Sequence, residues 1–240
     1  MSCLLYCIGR RGEAVEPEPP PGVGRQPVFL ITQGDLSAAV SHTAAVSQTP
    51  DLADVKAHGR VVAFFHRQRS VIPMRYGCLL EDELQVARVL EDHGPAYDDL
   101  LKELSGCVEM GIRIMVPGKS PEPEISRGLR PAPEAASYGA QSGCAYLLNR
   151  QAHYAAVERG TEVQQRLAEQ CLAHFTGLFV NSKIEGPLPH LPLLSLYFLV
   201  PASLVESFTQ AFRRLEFFRE ARLLLSGPWP PYNFVVKGHL

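Results

Sequence analysis

The 240-residue sequence is short of net charge, of long apolar runs and of clustered cysteine, and each shortage removes a class of function. Its 23 Lys+Arg stand against 25 Asp+Glu, giving a formal net charge of −2, and like charges never run to five or six in a row. A general nucleic-acid binder needs a concentrated basic surface, so none is indicated. The longest apolar stretch, Leu191 to Val200, is about half of the ~20 residues that span a bilayer. Pro192 and Ser195 interrupt it, and no membrane span is expected. The apolar opening, Met1 to Ile8, lacks a basic segment before it and runs into Gly9-Arg10-Arg11 instead of a small-residue cleavage site, so it reads as a strand and not as a signal peptide. Cys3, Cys7, Cys78, Cys107, Cys144 and Cys171 are scattered, without CxxC or zinc-type spacing, which suits reduced thiols. Cys3 and Cys7 are expected on one face of the first strand as small buried hydrophobes.

Catalytic patterns are missing as well. Gly118-Lys119-Ser120 resembles the end of a phosphate-binding loop, but Arg113 stands where its first glycine belongs and Pro121 where a helix should start. Gly22-Val23-Gly24 begins a dinucleotide pattern that Pro27 ends. No HExxH and no GxSxG occur, and His58 and His66, two turns apart on one helix, read as surface or interfacial histidines. No cofactor and no metal are indicated.

Proline is plentiful, at 20 residues, and concentrated. Residues 13–27 carry Pro17, Pro19, Pro20, Pro21 and Pro27, residues 117–133 carry five more, and both segments must be loops because proline has no amide donor and a fixed φ. Between them the patterning predicts strands near Val28 and Leu36 joined by a Gly34-Asp35 turn, and a helix from about Asp51 to Arg67 capped by Thr49 or Asp51. An extended stretch over 71–80 follows, interrupted at Pro73, and then helices over 81–92 and 95–104. The acidic pairs Glu81-Asp82-Glu83 and Asp98-Asp99 are expected at helix starts. Cys107 to Val116 alternates as a strand. Further on come a helical region over 139–175, strands at 177–182 and 191–200, a helix over 201–220 and a last strand at 222–226. The second half therefore has the order of a ferredoxin-like βαββαβ sandwich. The fold class is α+β in two domains: 1–105, a small mixed α+β unit (a ferredoxin-like variant), and 106–240, the ferredoxin-like unit with its Pro-Trp-Pro-Pro tail.

Two segments resist a purely structural account. Val71 to Gly77 sets Arg75 among apolar neighbours beside a proline and a glycine; an ion pair with Glu109 or a partner anchor would each explain it. Ser226 to Phe234 packs the only tryptophan, three prolines, a tyrosine and a phenylalanine into nine residues, which either plug the core or offer a preformed surface. Arg75, Tyr76, Trp229, Pro230 and Tyr232 are accordingly the candidate partner-binding residues.

Val71-Ile-Pro-Met-Arg-Tyr-Gly, Gly106-Cys-Val-Glu-Met-Gly-Ile-Arg-Ile, Ala145-Tyr-Leu-Leu-Asn-Arg and Ser226-Gly-Pro-Trp-Pro-Pro-Tyr-Asn-Phe-Val resemble, in this order, the signatures of the GvpF/GvpL family of gas vesicle proteins. Gly34 to Ser41 and Leu5 to Ile8 fit too; the proline insertion at 13–27 and Cys78-Leu79-Leu80 depart from the pattern. The resemblance implies a non-enzymatic, cytoplasmic, vesicle-associated protein that binds the hydrophobic shell protein GvpA and other accessory proteins during vesicle assembly. The alternative is a small-molecule-binding or enzymatic protein with its site between the domains near Arg75.

Overall fold

The computed structural model describes residues 1–12, 18–43, 51–115, 165–185, 193–215 and 222–235. Within these, nine strands form two antiparallel sheets with five α-helices, a mixed α+β architecture.

The first sheet is built around β1 (Ser2–Arg10). Cys3 to Gly9 are all buried, because helices cover both faces of this central strand, and a continuous apolar run is what such a strand requires. β3 (Leu36–Thr43) pairs with one side of β1, and β2 (Phe29–Gln33) returns along β3 through the Gly34-Asp35 turn. β4 (Val71–Pro73) and β5 (Leu79–Leu80) share the other side of β1, so residues 71–80 form one edge strand with a loop at 74–78. The interruption falls at Arg75-Tyr76-Gly77, where Gly77 takes φ 93°, and not at Pro73; an edge strand needs no amide donor on its open side. A bulge between Leu5 and Cys7 puts two successive residues on the same face. Cys3 therefore lies among the side chains under α2 and α3, and Cys7 among those under α1, on opposite faces instead of one.

α1 (Leu52–Gln68) starts at Asp51, whose carboxylate accepts the Ala53 amide at 3.2 Å, and buries Ala57, His58, Val61, Val62, Phe64 and Phe65 against the sheet. The opposite face receives α2 (Glu83–Asp92), capped by Asp82, and α3 (Gly94–Glu103), which has proline in its first turn. Asp98 and Asp99 sit within α3 and not at its start; they pair with Arg10 at 3.0 Å and Lys102 at 2.7 Å.

The second sheet has β6 (Cys107–Met115), β7 (Asn181–Glu185), β8 (Leu193–Pro201) and β9 (Arg222–Trp229) in the order β7-β8-β6-β9. The first sheet has the same permutation, β2-β3-β1-β4. The alternation in β6 is as the sequence suggested: Met110, Ile112 and Ile114 point into a core formed with the helical residues 165–174 (α4) and with α5 (Val205–Arg213). Phe175, Phe198 and Phe208 meet at its centre, with ring centroids 4.2–5.4 Å apart. The strand expected at 177–182 begins only at Asn181, because Gly177, at φ 83°, first turns the chain out of α4. The expected helix over 201–220 opens with a 3-10 turn at Ala202–Leu204 and reaches Arg213; residues 216–220, the loop at 117–133 and the helical region before residue 165 lie outside the described residues. No disulfide is formed by the described cysteines.

The other face of the second sheet turns toward the first. Cys107 and Leu199 belong to the same apolar cluster as Leu5, Ile72, Leu101 and Phe234, so the C-terminal segment closes a core that draws on both sheets.

Candidate partner-binding groove

β9 continues three residues beyond its expected end at Ser226. Gly227 and Pro228 bulge out opposite β6, which lets a proline lie within a strand, and the Gly227–Pro228 peptide is cis. Gly227 has φ 115°, and a Cβ there would meet the Glu109 carbonyl at 2.6 Å and the Met110 sulfur at 2.9 Å, so only glycine fits. After the bulge the chain turns through Pro230 and Pro231, both buried, into a 3-10 turn at Tyr232–Phe234.

Glu109 holds this turn. It is buried on β6 and accepts the Asn233 backbone amide at 2.8 Å and the Asn233 side-chain amide at 2.7 Å. Burial pushes its carboxyl pKa up, and the two Asn233 bonds oppose that. The partner suggested for Arg75 is thus committed to the tail, and Arg75 itself is exposed.

The nine-residue aromatic cluster divides its labour. Phe234 is 3% exposed and plugs the shared core; Tyr232 is half-buried beneath α1, and burial raises its phenol pKa. Trp229 is 54% exposed and is the one exposed aromatic ring among the described residues. Trp229, Pro230 and Tyr232 together form one wall of a groove of about 620 Å³. The other wall is the outward side of α1: Ala53, Lys56, Gly59, Arg60 and Ala63. Three of the five candidate residues therefore converge, and α1 adds wall residues that the sequence did not single out.

Tyr76 and Arg75 are placed apart from that wall. Tyr76 lies edge-on to His58, with centroids 5.8 Å apart, and the His58 ring is also 5.0 Å from that of Tyr6. The His58 Nε2 is buried without a hydrogen-bond partner. Burial lowers the imidazole pKa to about 4, against the opposing effect of a bond to the Leu5 backbone, so this histidine is a neutral core residue and not a surface one.

The first proline-rich segment flanks α1 on its other side. The Val23 amide donates to the Tyr6 hydroxyl at 2.9 Å, and the hydroxyl lies 2.8 Å from Ser41 Oγ. Pro20, Pro21, Gly22 and Gly24 face Ala53, Ala57 and Arg60 of the helix. Among the described residues no group of three His, Cys, Asp or Glu could hold a metal ion, and no helix is long and apolar enough to cross a membrane. The geometry offers chemistry for contact, an exposed indole and small side chains rimmed by cations, on a scaffold fixed by a buried carboxylate.

The sequence profile of a family described as gas vesicle synthesis protein GvpL/GvpF matches residues 2–236. The chain is 30% identical over 247 aligned positions to gas vesicle protein F of a Streptomyces species, covering 98% of this chain and 100% of that one. It is 25% identical to gas vesicle protein L of the same Streptomyces strain, over 96% of this chain and 91% of that one. Among solved structures, GvpF from Anabaena shares the fold with a TM-score of 0.72 at 15% identity, over 100% of this chain and 98% of that one.

Proposed function

The chain belongs to the gas vesicle GvpL/GvpF family, and from that premise we propose that it binds the hydrophobic shell protein GvpA and other accessory proteins, as an accessory or minor structural protein of the vesicle. Family membership implies a role in gas vesicle formation and in buoyancy. In the proposed role the protein acts without catalysis, in the cytoplasm and in association with the vesicle. It shields apolar shell-subunit surface until the subunit enters the growing wall, which keeps exposed apolar area from aggregating and assists nucleation.

The observation that carries the proposal is the groove. A tryptophan left 54% exposed at the end of a strand, on a backbone fixed by three prolines and the Glu109–Asn233 bonds, is costly for a free protein and useful for a bound one. Trp229, Pro230 and Tyr232 are the proposed contacts, with Arg75 and Tyr76 as outlying ones. We read the chain as two α+β domains meeting near residue 105, both with the strand permutation of a ferredoxin-like sheet; helices on both faces make the first the variant.

Co-expression of the tagged chain with GvpA, followed by pull-down, tests the role. GvpA is expected to be enriched over an unrelated soluble bait, and Trp229→Ala is expected to reduce capture at an unchanged Tm. Absence of enrichment with the wild-type chain would overturn the proposal.

A further inference from the structure

α1 has two apolar sides, and the fold uses one. Its inner side is buried against the sheet. On the outer side Leu52, 65% exposed, and Val55, 39% exposed, continue through Gly59 to Ala63 at spacings of three, four and four, which is one row along the helix. Gly59 and Ala63 lie in the groove facing Trp229, and a Cβ added at Gly59 would meet no atom within 4 Å. Small side chains on a helix let another backbone come close, and the row from Leu52 to Ala63 is about 16 Å long, matching roughly three turns of a second helix.

Charge limits what that helix is. Lys56 and Arg60 are the charged residues lining the groove, no carboxylate lines it, and neither cation has an ion-pair partner among the described residues. Arg67 lies two turns further along, in a neighbouring hollow that it and Arg60 share with one carboxylate, Glu18. A basic helix laid here would set like charges together; an acidic one pairs with cations already in place.

We propose that the groove between α1 and the C-terminal tail takes an amphipathic helix of a partner protein whose apolar stripe is flanked by carboxylates. This rests on the partner-binding role above and names the chemistry of the segment that enters. Trp229 anchors the stripe, the Gly59-Ala63 side admits the helix backbone, and Lys56 and Arg60 set its orientation.

Trp229 is the single tryptophan of the chain, so its fluorescence reports on the groove itself. The probes are tryptophan-free peptides of about 14 residues, long enough for roughly four helical turns. One carries a Leu/Ala stripe flanked by Glu, a second the same stripe flanked by Lys, and a third the Glu version with a central proline. Only the first is expected to shift Trp229 emission to the blue. Its affinity should fall about tenfold or more in the Lys56→Glu/Arg60→Glu chain and under high salt, as expected of close charge pairs at an interface. Gly59→Phe should block it without lowering Tm. Equal binding of the Glu and Lys peptides, equal binding of the proline peptide, or no emission change with any of them would overturn the proposal. GvpA capture separates the two claims. If the charge-reversed chain captures GvpA as well as the wild type, the groove chemistry falls and the binding role stands; if the Glu peptide binds but GvpA is not captured, the role falls and the groove chemistry stands.

Discussion

Glu109 sets the tail position with both of its oxygens occupied by donors from Asn233. Glu109→Gln keeps the shape but turns one acceptor into a donor, leaving an amide unmet in a buried site at about 1–3 kcal/mol. A lower Tm together with faster proteolysis at the tail is expected; a tail that stays protected would show that Phe234 alone holds it. His58 makes the pH prediction. Its imidazole, in ring contact with Tyr6 and Tyr76, has its pKa lowered to about 4 by burial, so the folded state prefers it neutral. The stability this represents is fully present above the unperturbed histidine value of about 6.5 and is lost as pH falls through about 4, in total about 3 kcal/mol. Denaturant midpoints measured from pH 7 down to 4 should decline, and His58→Leu should remove that part of the slope whatever it does to stability at neutral pH.

Among the elements, α1 carries structure on one side and the groove on the other. Gly59→Ala adds a Cβ in open space on a helix interior and should raise stability by about 0.5–1 kcal/mol, seen as a higher Tm. Most elements were legible from periodicity, because β6 and the inner side of α1 each present a single apolar face. The bulge in β1 was not, since one extra residue changes no composition and only the ladder of β3 reveals it. β9 looked finished at Ser226 because proline argues against a strand, and a bulge is what removes that objection. The tail wall of the groove could be read from clustered rings and prolines. The helix wall could not: Ala53, Gly59 and Ala63 look like filler, and Lys56 and Arg60 like ordinary solvated charges. The legible hint was Leu52 and Val55, apolar residues on the side of α1 that its own burial leaves out. Arg75 attracted attention through its apolar neighbours, but those neighbours pack on β1 while the loop carries the guanidinium outward.

At the scale of the molecule, Phe234 is the residue that makes two sheets one core. It joins Cys3, Leu5, Ile8 and Leu104 from the first half and Leu199 from the second. Phe234→Ala removes a ring 3% exposed at their meeting point and should cost about 3–5 kcal/mol. Calorimetry checks it: a single transition moved to lower temperature is expected, and an unshifted one would mean that the cluster closes without the ring. The two sheets repeat one strand permutation with different helix placement, so the halves differ less in how the chain is threaded than in which faces are covered.

The placement of residues 229–234 also orders events in time. Among the described residues, all but Val235 of those that share the first core or the groove with them are translated earlier, so until residues 229–234 are made the core stays open and the groove has only its helix wall. Pairings between residues far apart in sequence are slow to form. A ribosome-bound fragment therefore has no finished docking surface, and competence to engage a partner arrives with the tail, as a signal that synthesis has run through it.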